Sequence, residues 1–462
     1  MQGLLSKRTI IVGLIGILSL FFFGYNVTRD NELALFSVYA VLSGLFLYVY
    51  PFWKIEAKSK LGFRQILFIA VLFRVVLLFM TPNLSDDYYR FVWDGSLISN
   101  GYNPYGFKPI DQQFSSPKEE ITLKDRTFKG NEAFPEGMNS KEYYSVYPPV
   151  NQVMFGVSSV LAGDNTWLNI VFLRFLIIGF DIGVILILAK LLKWFSKKKE
   201  LIVVYALNPL VITELTGNLH FEGVTLFFVL AALWFLIQKR TIQAGLLYSM
   251  AICTKLIPIL FLPLFIFRLK WKQLFLFYGV IGAFTIAMFL PFYDVNLIET
   301  FGSSIGLYFK TFEFNGSLYY VFREIGFQLY DYNQIEIIGQ IGQVIVLLST
   351  IIILFKSRGE TELKGVLKYF IWILLIYYSL ASIVHPWYIV YLVGFSVFTN
   401  LKFPLIWSFA VVLSYYAYRD IGVVNENYWL LGVEYFVLLG AVVWDLTKTK
   451  KLTSYPKDDD PK

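Results

Sequence analysis

The chain has 462 residues, of which 57% are hydrophobic and 16% are charged, whereas a soluble domain carries about a quarter charged residues. Apolar runs of about 17 to 25 residues recur along its length, and each can cross roughly 30 Å of hydrocarbon as a helix. The composition therefore excludes a soluble protein, and apolar runs that do not alternate with polar residues exclude an outer-membrane barrel.

The charge and the cysteine content exclude two further classes of partner. The net charge is +7, but the lysines and arginines stand in short clusters at the ends of apolar runs, which orients a membrane protein and does not indicate nucleic acid. Cys253 is the only cysteine, so an intrachain disulfide and a cysteine metal cluster are both excluded.

Apolar segments predict the membrane helices. They lie at 9–25, 33–53, 64–80, 168–192, 201–217, 221–238, 273–291, 336–356, 364–384, 387–400, 403–418 and 428–446. Residues 242–267 predict two half-helices broken at 254–258, because bases flank both ends, and the short run 150–163 predicts an interfacial or re-entrant helix. We predict an all-α, polytopic integral membrane protein with about 14 (12–14) transmembrane helices.

The basic clusters predict the orientation. If they all face the cytoplasm, both termini lie there and the long loop 81–149 lies on the opposite side. This loop is dense in aromatic residues, so we expect amphipathic helices on the membrane surface. Residues 1–446 form one transmembrane domain in this prediction, and 447–462 form a cytoplasmic tail.

Two adjacent carboxylates begin the outer loop. Ser85 is expected to cap a helix that runs to about Ser99, with Asp86 and Asp87 in its first turn, where the helix dipole favours acids. Asp86, Arg90 and Asp94 stand four residues apart and can form ordinary ion pairs along one face of the helix.

Asp87 is the freer of the two acids. It lies about 100° around the helix from Asp86, and Phe91 rather than a base stands four residues further on. A free carboxylate at the end of a span is suited to take a proton from a hydroxyl.

Cations and polar residues interrupt the later apolar segments. Lys255 would cost about 2.5–3.5 kcal/mol at the bilayer centre, so it either lines a wet cavity, binds an anion or reaches the outer interface. Arg174 and Asp181 share a helix face but lie about 10 Å apart along it, too far to pair. Arg174 either binds a phosphate or pairs with the loop.

Both histidines fall in predicted outer connections. His220 stands near Glu222, and His385 precedes Pro386, which marks a helix break. A metal site from these residues and Asp87 does not match a recognised ligand spacing.

Three further positions have an alternative, ordinary explanation. Trp387 and Tyr388 either stack on a sugar or prenyl chain or belong to the interfacial aromatic belt. Asn315 either binds hydroxyl groups or forms a turn with Gly316.

Six short motifs together resemble a known family. They are Asp86-Asp87-Tyr88, Gly101-Tyr102-Asn103-Pro104-Tyr105, Tyr144-Ser145-Val146-Tyr147-Pro148-Pro149, Thr254-Lys255-Leu256-Ile257-Pro258, Phe314-Asn315-Gly316 and His385-Pro386-Trp387-Tyr388. Their order resembles that of GT-C glycosyltransferases, and in particular bacterial mannosyltransferase-like members. The first motif departs from the family's Asp-X-Asp, which leaves open which aspartate acts.

The resemblance implies an activity and a set of site residues. It implies transfer of a sugar, mannose or a relative, from a polyprenyl-phosphate donor to a lipid or glycan hydroxyl, with inversion, in the bacterial inner membrane and on its outer side. A base and cations for the phosphate suffice, without a cofactor or resident metal. The implied roles are catalytic for Asp87 and Asp86, phosphate-binding for Lys255, His385 and Arg174, and substrate-binding for His220, Glu222, Asn218, Asn315, Trp387, Tyr388 and Tyr105.

Two alternatives stand beside the enzyme. The many spans, the break near Lys255 and the charges at Arg174 and Asp181 are also typical of a transporter or lipid flippase. A silent partner that keeps the fold and scaffolds another membrane protein is the third possibility.

Overall fold

The computed structural model describes residues 6–52, 58–110, 121–123, 126–128, 138, 140–310, 312–360, 362–419 and 424–453. Most of the predicted outer-loop stretch 111–139 and the end of the predicted tail lie outside these residues. The last helix continues through 447–453, so the described start of the predicted tail is helical.

α-Helices make up most of the described chain. In the first half they are Lys7–Asn26, Glu32–Val49, Phe63–Val76, Asp87–Ser99, Pro149–Ala162, Thr166–Trp194, Val203–Ala206, Pro209–Val211, Glu222–Ile237 and Thr241–Ile252. In the second half they are Trp271–Phe289, Leu297–Lys310, Leu318–Tyr330, Ile335–Lys356, Leu363–Leu380, Ile389–Ser396, Phe403–Ala410 and Tyr428–Thr453. Each predicted span overlaps at least one of them, which confirms the helical class.

Tighter and wider turns join or extend these helices. The 3₁₀ turns are Pro104–Gly106, Lys199–Ile202, Ile257–Phe265, Leu290–Phe292, Pro386–Tyr388 and Val411–Tyr418, and Ile212–Gly217 is a π-helix. The loop 81–149 also contains a small antiparallel hairpin of strands Ile121–Leu123 and Arg126–Phe128, which the all-helical prediction did not include.

Several helices have the length and composition of membrane spans. Six qualify individually, and a pair bent by 62°, Lys199–Ala206 and Pro209–Gly217, makes a seventh if it is one span. The six are Lys7–Asn26, Glu32–Val49, Thr166–Trp194, Trp271–Phe292, Ile335–Lys356 and Tyr428–Lys448. Shorter apolar helices of 10–17 residues accompany them. The protein is therefore polytopic, while the predicted number of 12–14 crossings stays a prediction.

The outer surface of the helical bundle is apolar. In helix Lys7–Asn26, Leu14 and Leu18 are 57% and 67% exposed, while Leu20 and Phe23 on the opposite side are fully buried. Large aliphatic side chains exposed in rows along spanning-length helices are stable against lipid rather than water. The exposed rows thus agree with an integral membrane protein.

The predicted break between half-helices is confirmed. Helix Thr241–Ile252 ends at Cys253, and the chain resumes as the 3₁₀ turn Ile257–Phe265. The Tyr248 hydroxyl donates to the Pro258 carbonyl at 2.8 Å, which satisfies one of the backbone groups freed by the break. Lys255 therefore stands in an irregular connection.

A buried ion pair joins helix Phe63–Val76 to helix Thr166–Trp194. Arg74 Nε donates to Asp181 Oδ2 at 2.6 Å, and both side chains are fully buried. The Tyr205 hydroxyl donates to the other Asp181 oxygen at 2.8 Å, and Arg74 also donates to the Ala206 carbonyl at 3.0 Å. These contacts fit the expectation that Asp181 and Arg174 do not pair directly.

Candidate functional site

The two adjacent aspartates have different surroundings. Asp86 is the N-cap of helix Asp87–Ser99, one residue later than predicted, while the Ser85 hydroxyl accepts the Asp87 N–H at 3.3 Å. Arg29 donates from both terminal nitrogens to Asp86, with one contact at 2.7 Å. Asp86 is thus bound bidentately by a residue outside its own helix.

A buried polar network holds the end of the loop 81–149 against this helix. Arg90 donates to Asp94 at 2.8 Å and to the Tyr143 carbonyl at 2.7 Å. Ser145 and Gln152 also donate to Asp94, and all four side chains are almost fully buried. The predicted pair of Arg90 with Asp94 is therefore present, and it fixes the segment that leads to Tyr147.

The same region anchors the break that carries Lys255. The Val150 N–H donates to the Cys253 carbonyl at 2.9 Å, and the Asn151 amide donates to the Thr254 carbonyl at 2.9 Å. Asn151 is fully buried. Because helix Pro149–Ala162 begins here, its first turn fixes the backbone next to Lys255.

Lys255 is held by a carboxylate and an aromatic ring. Its Nζ donates to Glu222 Oε1 and lies 5.7 Å from the centroid of the Tyr388 ring. Lys255 keeps 24% exposure while Glu222 is fully buried. An ammonium group has three N–H donors, so the amine retains donors for a second anion.

Asp87 lies within the electrostatic reach of this pair. The pKa of Asp87 is raised to about 6. Burial is the largest cause, and the charges of Asp86 and Glu222 act in the same direction, whereas the Lys255 charge and a hydrogen bond from Tyr147 act against it. A carboxylate with this pKa is mainly ionised at neutral pH and is basic enough to accept a proton.

Both histidines of the chain stack on one tryptophan. The ring centroids of His220 and His385 lie 3.7 and 4.2 Å from that of Trp387, with interplanar angles of 19° and 13°. Two imidazoles do not fit side by side on one face at these distances, so Trp387 lies between them. Both faces of the indole are covered. A sugar can therefore reach only the edge of the Trp387 ring, which rules out the predicted stacking in this arrangement.

The two imidazoles are neutral. Burial lowers the pKa of His385 to about 3 and that of His220 well below its usual value, and the nearby Lys255 charge acts in the same direction. Each ring therefore presents one N–H donor and one acceptor nitrogen. His385 can still donate to a phosphate, but not as a cation.

Arg174 is committed to the backbone. Its guanidinium donates to the Thr216 carbonyl at 2.7 Å, to the Leu78 and Met80 carbonyls, and to the Gly217 carbonyl at 3.2 Å. All three nitrogens have acceptors and the side chain is fully buried. These contacts correct the predicted phosphate contact, because the guanidinium already binds backbone carbonyls. Arg174 joins the segment that ends at Met80, before the two adjacent aspartates, to the segment that ends at Gly217, before His220.

Asn218 and Tyr105 also support the site rather than face it. Asn218 is fully buried, and it accepts the Leu84 N–H at 3.3 Å. The Tyr105 hydroxyl donates to the Tyr147 carbonyl at 2.7 Å, and its ring packs on Phe292. In the structure, Asn218 and Tyr105 therefore hold neighbouring segments in position, and neither has the direct substrate contact that was predicted.

Asn315 forms the predicted turn instead of an open binding group. It has a left-handed backbone conformation with φ of 51°, and its amide donates to the Val384 carbonyl at 3.2 Å and to Glu434 at 3.1 Å. It is 1% exposed. The turn holds the strand-like contact of Phe314 with Ile383, and so fixes the approach to His385.

Two residues near the site were missed in the sequence. The Tyr147 side chain hydrogen-bonds Asp87, but the sequence indicated Tyr147 only as one residue of a motif. Glu214 lies 3.6 Å from His220. An acid inside an apolar span is itself a functional signal, and applying it to the segment 201–217 would have found Glu214.

No group of three or more histidine, cysteine, aspartate or glutamate side chains in the described residues is arranged to hold a metal ion. Lys255 bonds Glu222, and its charge acts on Asp87, His220 and His385. The candidate metal ligands thus share a neighbourhood with an ammonium group, which repels a divalent cation. Independence of metal and cofactor remains a prediction, to be tested with chelators.

The fold and the site define a polytopic membrane protein with charged groups gathered where several helices end or break. A family model described as "Alpha-(1->6)-mannopyranosyltransferase, N-terminal domain" matches residues 17–270, more than half of the chain, and the protein belongs to this family. No curated protein matches the chain.

Family membership favours the enzyme among the three predicted classes. The protein is a membrane glycosyltransferase of mannosyltransferase type. Asp86, Asp87, His220, Glu222 and Lys255 lie inside the matched region. His385, Trp387 and Tyr388 lie beyond it, and the fold brings them to the same place.

Proposed function

We propose that the enzyme transfers mannose from a polyprenyl-phosphate donor to a hydroxyl group of a lipid or glycan acceptor, with inversion, on the extracytoplasmic side of the bacterial inner membrane. Asp87 is the general base, and Lys255 with His385 contacts the donor phosphate. The observation that carries the proposal is the electrostatic coupling of a partly buried carboxylate with pKa of about 6 to a lysine in a helix break.

The chemistry needs these two groups and little else. A phosphate leaves without protonation when cations balance its charge, and the acceptor hydroxyl must lose its proton to a base. Inversion requires that the acceptor approach the sugar from the face opposite the phosphate, as water does in inverting glycosidases. Base and cation must therefore lie on two sides of one sugar.

The family description supports the choice of sugar and linkage. It names an alpha-(1->6)-mannopyranosyltransferase, so we propose the 6-hydroxyl of a mannose residue as the acceptor. An α product formed with inversion requires a β-linked donor phosphate. The predicted membrane orientation supports the outer side, because the loop that begins with Asp87 lies opposite the basic clusters.

Labelled donors test the proposal. Purified protein in lipid bilayers is given a short α-mannoside acceptor with either polyprenyl-phosphate mannose or a nucleotide-activated mannose. We expect label in the acceptor only with the lipid donor, in α linkage. Transfer from the nucleotide donor alone, or retention of the donor configuration, would contradict it.

The orientation needs a separate measurement. Sealed right-side-out vesicles carrying the lipid donor receive an acceptor that does not cross membranes. We expect labelling of external acceptor without permeabilisation. Labelling that requires opened vesicles would place the site on the cytoplasmic side.

Activity should follow the ionisation of Asp87. The base acts only when unprotonated, and burial sets the pKa of Asp87 at about 6. Transfer is therefore expected to be constant above pH 7 and to fall about tenfold for each pH unit below 6. The measurement is kcat/KM between pH 4.5 and 8. An acid limb near pH 4, the range of an ordinary carboxyl, would contradict the assignment.

Removal of the lysine charge should weaken donor binding and shift this limb. We expect Lys255→Gln to raise the donor KM roughly 10- to 100-fold, the range for a lost hydrogen bond to a charged group. Because Lys255 lowers the pKa of Asp87, the acid limb should move above pH 6. Lys255→Arg should keep much of the activity, and exposed Lys272 provides the control Lys272→Gln. An unchanged KM and limb would remove Lys255 from the site.

A further inference from the structure

Glu214 is a buried acid that the proposed chemistry does not use. It is fully buried in the π-helix Ile212–Gly217, at the end of the bent pair of helices and just before the connection that contains His220. A π-turn is rare and is often found at functional sites. A carboxylate in such a place is stable only with donors around it.

Neutral donors from distant segments surround Glu214. The Tyr415 hydroxyl lies 2.8 Å from both carboxylate oxygens, and the Tyr39 hydroxyl lies 3.3 Å from Oε1. The Asn218 amide donates to Oε2 at 3.3 Å. Among the described residues these side chains fix the direction of the carboxylate, and Oε2 faces His220.

The backbone returns His220 to this acid. Leu219 has φ of 65°, a left-handed conformation that a side chain disfavours, and the His220 N–H donates to the Glu214 carbonyl oxygen at 3.2 Å. Backbone strain of this kind persists where the surroundings hold it. The imidazole then lies flat on Trp387 with one edge towards Glu214.

The contact at that edge determines the tautomer. His220 Nε2 is buried and has no hydrogen-bond partner within bonding distance among the described residues, and Glu214 Oε2 is 3.6 Å away. A buried N–H needs an acceptor. The Tyr415 hydroxyl and the Asn218 amide already donate to Glu214 Oε2, which favours an unprotonated oxygen there, and a lone pair on Nε2 would then face another lone pair. A movement of a few tenths of an ångström completes the hydrogen bond.

We propose that Glu214 is a positioning residue that holds His220 as the Nε2–H tautomer, so that its Nδ1 accepts a hydrogen bond from a hydroxyl of the donor sugar. The role of Nδ1 rests on the proposed function. The orientation of the ring by Glu214 does not, and the two are tested separately. Trp387 and His385 complete the stack that keeps the ring plane fixed.

Histidine labelling tests the tautomer without any assay. The chain has only two histidines, so protein labelled with ¹⁵N in the imidazole rings gives two ring systems, and His385→Gln identifies the remaining one as His220. We expect a neutral Nε2–H ring at pH 6 to 8, and a changed or mixed tautomer in Glu214→Leu, which removes the acceptor that glutamine would keep. An Nδ1–H ring in the natural protein, or an unchanged tautomer in the variant, would overturn the proposal.

Donor kinetics test the consequence. We expect Glu214→Leu to raise the donor KM roughly 10- to 100-fold with a smaller change in kcat, and to leave the acid limb near pH 6, since Asp87 is intact. In a His220→Ala background, Glu214→Leu should cause no further rise, because the effect acts through His220. Additive effects would show a general structural role and overturn it.

Asp445→Leu is the matched control. It likewise removes a buried acid, one that accepts the Lys402 and Phe403 N–H groups and makes no contact with Glu214 or His220 among the bonds described, so thermal stability should fall while donor KM stays within about twofold. If Glu214→Leu does not fold, the labelled natural protein still decides the tautomer. If the natural protein transfers no mannose, the proposed function fails, while the histidine spectra still test the orientation of the ring.

Discussion

Asparagine in place of Asp87 is expected to lower kcat by about 10²- to 10⁴-fold, the contribution of a positioned base. Asparagine keeps the size of the side chain and an acceptor for Tyr147, but its amide does not accept a proton at neutral pH. The donor KM should not rise, because the variant removes a negative charge from the surroundings of Lys255. Steady-state transfer at saturating donor, with purified protein in bilayers, gives kcat, and thermal melting confirms folding.

Asp86→Asn is the neighbouring control. Asp86 bonds Arg29 and is 24% exposed, and a partly exposed pair contributes little to stability. We expect transfer within about tenfold of the natural protein, and an acid limb below pH 6, because the Asp86 charge raises the pKa of Asp87. Full activity in Asp87→Asn would move the base elsewhere, and loss in Asp86→Asn alone would assign it to Asp86.

The helices were predictable because their apolar length is a property of the local sequence. The break at Lys255 followed from bases on both sides of a single apolar run, and the helix that ends at Ser99 followed from its first turn. Whether a short helix such as Phe63–Val76 crosses the bilayer depends on its neighbours and not on its own composition.

Partners of charged residues were less predictable because they lie far apart in sequence. An ion pair of Asp86 within its helix was one of two sequence interpretations, and Asp86 instead binds Arg29. Arg174 was expected either at a phosphate or paired with the loop, and it binds carbonyls of two segments. In each case the sequence indicated that the charge needs a partner, while tertiary structure selected which one.

The stack around Trp387 shows the same limit for aromatic residues. Residue type predicted a ring at the site, and the motif placed it beside His385. Only the fold brings His220 to the second face, since the two histidines approach from different helix ends. Nothing in the local sequence indicates that the faces of Trp387 are occupied, but both are covered in the structure.

Removal of Arg74 is expected to lower the free energy of unfolding by about 3–5 kcal/mol, the usual cost when one partner of a buried ion pair is lost. Arg74→Met leaves Asp181 with only the Tyr205 hydroxyl as a side-chain partner among the contacts described. The charge then remains buried between the two helices without a cation. Chemical unfolding in lipid-containing micelles, followed by tryptophan fluorescence, measures the change.

Two further variants separate charge from packing. Arg74→Met with Asp181→Leu removes both charges and keeps side-chain volume, so it should recover most of the lost stability, as for other buried pairs replaced by apolar residues. Arg29→Met breaks the more exposed pair with Asp86 and should cost at most about 1 kcal/mol. If Arg74→Met is as stable as the natural protein, the pair does not hold the two helices together. If the double variant is no better than the single one, the loss comes from the hydrogen bonds to the Ala206 carbonyl and Tyr205 rather than from an unpaired charge.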